Sequence, residues 1–333
     1  MASVAAIIPT YNRRALLLEC LDSLFRQTVP LTRIIVVDNA STDGTVEAVR
    51  ARYPSHPAIE IHRLDRNTGA SGGFHAATKI AFDGGYDWIW YTDNDSEPEP
   101  DALEKLLTAA ADLGSKGNTV AGLASLKIDT RGRIQASHNG RFTWRQIPVP
   151  EKRCRGIVPI EYGAFTGLLV SRDAIARAGS VNPDYFIWCD DLDLCLRIGK
   201  AGGLFLIADS RVLHKDIVTD RSERFELGNF WRYYFGTRNW LHTAIVHRGW
   251  WAVPPILAAC LFRIATVWVG MNRKVLRTRL LLKGIRDGLV GNFSDPVTPG
   301  RWRRILDGEP LRRATAPPRS KTNDRAPPAN LSP

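Results

Sequence analysis

The 333-residue chain is 44% hydrophobic, 9% aromatic and 24% charged, a balance that fits a packed globular protein and excludes a fibrous or globally disordered one. Its net charge of +11 is uneven: residues 270–333 hold 14 Lys/Arg against 5 Asp/Glu, which leaves +2 for the first 269. Five widely spaced cysteines without a CxxC pair exclude a disulfide framework and a cysteine zinc site.

The chain enters an apolar run at Val4 without a basic stretch or cleavage site, so no signal peptide is expected and the cytoplasmic side is the expected setting. β-rich runs at 4–8, 34–37, 59–62 and 88–91 alternate with helical patterns, which predicts βαβ units around a mainly parallel sheet. Between the first two runs, Leu16, Leu17, Cys20, Leu21, Leu24 and Phe25 repeat at helical spacing and form a core face. Strand-like runs at 120–126, 167–171 and 204–208 and a helix over 190–201 extend the same sheet. From Trp250, 13 uncharged residues reach Phe262, Arg263 interrupts, and nine more follow to Asn272. A spanning helix needs about 20 apolar residues, and Pro254, Pro255 and Arg263 favour a helix lying in the membrane interface. Arg273, Lys274, Arg277, Arg279, Lys283 and Arg286 would then face an anionic leaflet. The alternative is a buried helical hairpin with a solvated basic face. The Pro-, Arg- and Ala-rich end reads as disordered.

The chemistry-bearing residues fall where strands end, the ligand side of an open parallel sheet. Thr10 and Tyr11, in Pro9-Thr10-Tyr11-Asn12-Arg13, offer a hydroxyl and a ring for a base and ribose, or a simple capped turn. Asp38 ends the second run and offers an acceptor for a base N–H; Asn39, Ser41 and Asp43 read as turn residues, with Asp43 an N-cap. Arg66, Asn67 and Gly69 open a helix toward an anion, or the glycines of this segment serve close packing. Neither GxGxxG nor a Gly-Lys-Ser/Thr loop is present. In Trp90-Tyr91-Thr92-Asp93-Asn94-Asp95, strand alternation would put both carboxylates on one side, a donor pair suited to Mg²⁺ or Mn²⁺. Asp190 and Asp191 enter a helix, where one serves as a general base or both favour the helix dipole; Asp193 is accounted for by Arg197 four residues on. His214 follows the last strand as a metal ligand or a structural histidine.

Together PTYNR, VVDNASTDGT, RNTGASGGF, YTDND, WCDDLDLCLRIGKAGG and His214 resemble glycosyltransferase family 2 over residues 3–220. The resemblance implies a GT-A fold, a nucleotide-diphospho-sugar donor, a divalent metal (Mn²⁺ or Mg²⁺) and inversion by single displacement. It implies donor contacts from Thr10, Tyr11, Asp38, Arg66, Asn67, Gly69 and Asp93, metal contacts from Asp93, Asp95 and His214, and a base at Asp191 beside Asp190, where the family has Glu-Asp. NTGASGGF, DWIWYTDNDSEPEPDAL, EYGAFTGLLVSRDAI and the run from Tyr233 to Asn239 resemble bacterial galactofuranosyl- and rhamnosyltransferases of cell-wall polysaccharide synthesis. UDP-galactofuranose is the expected donor and dTDP-rhamnose the alternative, although Asp93-Asn94-Asp95 departs from the three-aspartate pattern of the galactofuranose enzymes. The expected acceptor is a polyprenyl-diphosphate-linked glycan at the inner face of the plasma membrane, with Trp188, beside the acidic pair, either stacked on its sugar or packed in the core. No nucleic-acid partner is expected, and a homo-oligomer is left open. The expected division is a catalytic domain over 1–225, a helical, basic, membrane-associated region over 226–310 and a disordered tail over 311–333.

Overall fold

Residues Val4–Thr10 are buried throughout and form β1, a central strand covered on both faces. The structure, a computed structural model, describes residues 2–215, 231–270 and 273–294. In chain order, β1 is followed by α1 (Arg14–Phe25), β2 (Arg33–Asp38), α2 (Thr45–Arg52), β3 (Ile59–Arg63), α3 (Gly69–Asp83), β4 (Trp88–Tyr91), β5 (Ser96–Pro98), α4 (Ala102–Ser115) and β6 (Val120–Ile128). Then come β7 (Asn139–Phe142), β8 (Gln146–Pro148), β9 (Ile157–Ile160), β10 (Tyr162–Gly163), β11 (Leu168–Ser171), α5 (Arg172–Ala178), α6 (Asp190–Ile198) and β12 (Gly203–His214). Beyond residues 216–230 lie α7 (Trp231–Arg248), α8 (Val253–Gly270) and α9 (Lys274–Val290). The expected boundary at 225 and the tail over 311–333 fall outside the described residues.

The main sheet has the order β3-β2-β1-β4-β11-β6-β12-β5, with β9 also on β12. β3, β2, β1, β4, β6 and β12 share one direction, and β11, β5 and β9 oppose it. Alternation along β1 sends Val4, Ala6 and Ile8 to one layer, against Leu17, Cys20, Leu21 and Leu24 of α1. Ala5 and Ile7 face the other layer, with Phe74, Ala77 and Ala81 of α3. That second layer continues into Leu241 and Ala244 of α7 and Ile256 and Cys260 of α8, so the C-terminal helices share the core of the α/β part. All five cysteines are buried and free.

A small second sheet, β10-β7-β8, carries no extended apolar run, which is why the sequence did not announce it. β12 is longer than the apolar run 204–208: a register shift between Ile207 and Arg211 lets the strand absorb Asp209 and Ser210 and continue to His214.

Among the described residues, one helical stretch, Trp250–Gly270, is long and apolar enough to cross a membrane, with mean hydropathy 1.8. Its Leu261, Phe262, Trp268 and Val269 are exposed, as are Trp250 and Trp251 at its start. The basic face of α9 is smaller than its sequence implies. Arg277 is buried under the Tyr233 ring and Lys283 is bonded to Asp287, while Arg273, Arg279 and Arg286 are exposed.

Candidate active site

The parallel register of β1, β2 and β4 brings Thr10, Asp38 and the loop after Tyr91 to one edge of the sheet, where a cavity of about 890 Å³ opens. Thr10, Tyr11, Arg66, Asn67, Gly69, Asp93, Asp95, Trp188, Asp190, Asp191 and His214 all line it. Asp38 does not. Its carboxylate is fully buried, accepts from the Ser41 N–H at 3.2 Å and lies 3.5 Å from Arg63 Nε, so in this structure it serves the β2–α2 turn and is not presented to the cavity. Thr10 is buried beneath the floor and Tyr11 is 43% exposed at the rim.

The loops on this edge hold one another. Asn39 Oδ1 accepts from Thr68 N–H and Oγ1–H, and its Nδ2 donates to Gly69 O. Asn12 adopts a positive φ of 49° and accepts from Thr42 N–H. Asp43, expected as the N-cap of α2, sits one residue outside it. The cap position is Gly44 with φ 76°, and Asp43 instead accepts from Thr45 and from the Arg14 N–H.

Gly69 carries the packing reading of the glycine-rich segment. Its φ is +77°, and a Cβ there would lie 2.1 Å from Phe186 O, because the loop before α6 runs directly over the start of α3. Gly69→Ala is therefore expected to destabilise the protein by more than about 2 kcal/mol in urea unfolding; an unchanged midpoint would contradict this packing.

β4 ends at Tyr91, so residues 92–95 form a turn, and strand alternation is not what aims the carboxylates. Both face the cavity nonetheless. β11 pairs antiparallel with β4, Leu168 opposite Tyr91, and this register carries Thr166 across from Asp93, where Thr166 Oγ1–H donates to Asp93 Oδ2 at 2.6 Å. Burial, then the charge of Asp95, pushes the Asp93 carboxyl above its ordinary range. Asn94 turns its amide inward and donates to Pro9 O at 3.2 Å and Thr10 Oγ1 at 3.4 Å, two bonds a carboxylate at this position lacks the hydrogens to make.

Pairing of β12 with β5 places His214 opposite Ser96, and the Lys215 N–H donates to Asp95 O at 2.9 Å. His214 Nδ1–H donates to Gln135 Oε1 at 2.7 Å, which turns Nε2 toward Asp95 Oδ1, 3.6 Å away. Adjacent ligands around an octahedral Mg²⁺-sized ion lie about 3 Å apart, so one hard cation can be shared by this pair with little adjustment. Among the described residues no group of three or more His, Cys, Asp or Glu can hold a metal alone. Asp95 and His214 would therefore supply part of the ligand set of a hard divalent ion such as Mg²⁺ or Mn²⁺, the rest coming from outside the protein.

On another side of the cavity, α6 begins with the acidic pair. Asp190 is 5% exposed and its Oδ2 accepts from Ser71 Oγ–H at 2.9 Å. Asp191 is half-buried and its Oδ1 accepts from the Leu192 N–H at 2.7 Å. Burial raises both carboxyls above the ordinary carboxylate range; the charge of Asp191 adds to the effect on Asp190, and that of Asp93 to the effect on Asp191. Asp193 pairs with Arg197 at 3.0 Å, as its spacing predicts, and also with His247 Nε2 at 2.8 Å.

Sequence reasoning missed Thr166, whose role depends on a register between distant strands, and Lys127. Lys127 is fully buried in β6, donates to Asn139 Oδ1 at 3.1 Å, and is brought down by burial to about 7. A lysine inside the apolar run of β6 was the available signal.

A mixed, mostly parallel sheet with a cavity at its strand ends, lined by the Asp95–His214 pair and by a second acidic pair at a helix mouth, is the architecture of a GT-A fold. The model of glycosyl transferase family 2 matches residues 5–177; the chain belongs to that family and is a glycosyltransferase. It is 28% identical over 277 residues to the N-acetylglucosaminyl-diphospho-decaprenol L-rhamnosyltransferase of Mycobacterium tuberculosis (strain ATCC 25618 / H37Rv), covering 74% of this chain and 85% of that protein. It is 35% identical over 112 residues to the undecaprenyl-phosphate mannosyltransferase of Micrococcus luteus, covering 33% of this chain and 46% of that protein. Among solved structures, S. aureus TarS 1-349 in complex with UDP has a TM-score of 0.54 at 15% identity, covering 93% of each chain. GalNAc-T7 with UDP, GalNAc and Mn²⁺ has a TM-score of 0.57 at 16% identity, covering 93% of this chain and 58% of that one.

Proposed function

We propose that the protein is an inverting, metal-dependent glycosyltransferase that moves a sugar from a nucleotide-diphospho-sugar to a polyprenyl-diphosphate-linked glycan. The observation that carries the reading is the opening of one cavity onto both the Asp95–His214 pair and Asp191. Thr10, Tyr11, Arg66, Asn67 and the start of α3 at Gly69 bind and orient the donor, with Asp93 braced by Thr166. Asp95 and His214 would hold a divalent ion, which would supply charge neutralisation for the leaving diphosphate. Asp191 accepts the proton of the acceptor hydroxyl as its oxygen bonds to the anomeric carbon and the bond to the diphosphate breaks. Asp190, tied to Ser71, keeps a second carboxylate behind it, and Trp188 offers a face for the acceptor sugar.

For the donor, the M. tuberculosis relative, a rhamnosyltransferase by name, favours dTDP-rhamnose. The inward amide of Asn94 points the same way, since it gives the middle position of Asp93-Asn94-Asp95 a role that the three-aspartate pattern does not meet. UDP-galactofuranose is the second reading, carried by the NTGASGGF and EYGAFTGLLVSRDAI segments. Thermal shift with UDP-galactofuranose and dTDP-rhamnose, each with and without Mn²⁺, tests the choice: stabilisation by one donor, present with the ion and absent without it, is the expected result. Stabilisation by neither donor counts against both.

Because the proposed base is a carboxyl raised by burial, kcat/KM is expected to fall as pH is lowered through a point above the ordinary carboxylate range of about 4. A rate flat from pH 8 down to that range would remove Asp191 from the role.

We place residues 1–225 as the catalytic part and 226–310 as a region lying on the inner face of the plasma membrane, where a lipid-linked acceptor is presented. The exposed Trp250, Trp251, Leu261, Phe262 and Trp268, beside Arg273, Arg279 and Arg286, support an anionic bilayer as the occupant of this face. Binding to vesicles with anionic lipid is expected to weaken with rising salt and to drop about tenfold for the Arg279→Glu, Arg286→Glu variant. Equal binding to anionic vesicles by both proteins contradicts the electrostatic part.

A further inference from the structure

The backbone that leads into the acidic pair is strained. Ile187 N–H donates to Tyr185 O at 2.7 Å around Phe186, whose φ of 65° and ψ of −55° make the rare left-handed γ-turn. Trp188 (φ 67°) and Cys189 (φ 63°) follow in the left-handed region. Non-glycine residues avoid these conformations and persist in them only where neighbouring groups over-determine the path.

On one side the path is fixed by α3: Phe186 O accepts from the Ser71 N–H at 3.1 Å. On the other it is fixed by α7. The two amide hydrogens of Asn239 Nδ2 are shared among Tyr185 O at 2.9 Å, Ile187 O at 2.8 Å and Trp188 O at 3.0 Å. Asn239 Oδ1 accepts from Arg238 Nε–H at 2.9 Å, which aims the amide, and Arg238 Nη2 donates to Asp184 O at 2.9 Å and Tyr185 O at 3.1 Å. Both side chains are buried, at 1% and 0% exposure. Gly236, one turn earlier, passes so close to Trp188 that a Cβ would lie 3.2 Å from the indole ring.

We infer that Arg238 and Asn239 are positioning residues of the transfer reaction: they hold residues 186–189 in their left-handed path so that Asp190, Asp191 and Trp188 are presented to the cavity. The inference rests on the proposed role of the acidic pair in transfer. The chemistry selects an amide at 239. An alanine removes this donor from three carbonyls, of which only Tyr185 O keeps a bond to Arg238, and an aspartate sets a carboxylate against them. Sequence alone does not mark the pair, because the carbonyls it serves lie some 50 residues away in the chain.

The test compares the full-length parent with Asn239→Ala and with the milder Arg238→Lys, which keeps the charge and loses the planar fork. Parental transfer is measured first; its absence contradicts the proposed function and with it the reaction assigned to the pair. In Asn239→Ala, amide hydrogen exchange over 184–191 is expected to rise about tenfold or more while exchange over 88–95 stays parental. Binding of dTDP and UDP with Mn²⁺ is expected to stay parental, and kcat to fall by about 10- to 100-fold at unchanged donor KM. Arg238→Lys should lie between. Unchanged exchange over 184–191, or a parental kcat in a folded variant, overturns the inference. So does exchange that rises across the whole chain with nucleotide binding lost alongside kcat, since that is the behaviour of a purely structural residue.

Discussion

Asp191→Asn is expected to bind nucleotide diphosphate within about twofold of the parent and to transfer sugar about 10²- to 10⁴-fold more slowly, the range that a positioned general base contributes. The substitution keeps the shape of the side chain and its acceptance from the Leu192 N–H, so α6 should begin as before. What it removes is the capacity to take a proton. The two carboxylates of the pair differ in what already occupies them: Asp190 is tied to Ser71 and almost fully covered, whereas Asp191 is half-buried at the cavity. Asp190→Asn should therefore cost less than Asp191→Asn. The reverse order in steady-state kinetics would exchange the two roles, and parental transfer by Asp191→Asn would remove the assignment.

Asp95→Ala is expected to abolish the part of nucleotide-diphosphate affinity that depends on Mn²⁺ and to leave the metal-free part intact. The physical reason is the donor count. With His214 Nε2 as the remaining partner of a two-donor set, an ion loses its carboxylate and most of its charge compensation. Changes to groups that merely orient metal ligands cost about 10- to 100-fold in affinity, so loss of a ligand should reach at least that. Gln135→Leu, which deletes the acceptor orienting the imidazole, should fall within it. Calorimetric titration of UDP or dTDP with and without Mn²⁺ separates these cases; equal metal dependence in Asp95→Ala and parent would place the ion elsewhere.

Much of this site could be read from the chain because its residues follow strands directly. The four apolar runs of the first half became β1 to β4, and their parallel register alone gathers Thr10 and the 93–95 loop at one edge. The i,i+4 pair of Asp193 and Arg197 was likewise local. Asp38 shows the limit of such reading: its place at the end of β2 was right, but whether its carboxylate faces a ligand or its own turn depends on Arg63 and Ser41, which spacing does not reveal. The aim of Asp93 was beyond local pattern for the same reason, since a turn replaces the strand and Thr166 arrives through β11. Arg277 was counted as surface charge because a helical repeat does not tell a solvated arginine from one folded under an aromatic ring. Left-handed residues at 186, 188 and 189 have no signature in a Phe-Ile-Trp-Cys sequence, because what stabilises them is on α7.

The most direct measurement is product analysis by mass spectrometry after incubating the full-length protein with dTDP-rhamnose or UDP-galactofuranose and a polyprenyl-diphosphate-linked N-acetylglucosamine, with Mn²⁺ or with chelator. The account predicts a lipid-linked product extended by one sugar from one of the two donors, formed with Mn²⁺, lost with chelator and absent with Asp191→Asn. An unextended acceptor with both donors, or an extended one formed equally well in chelator, would contradict it.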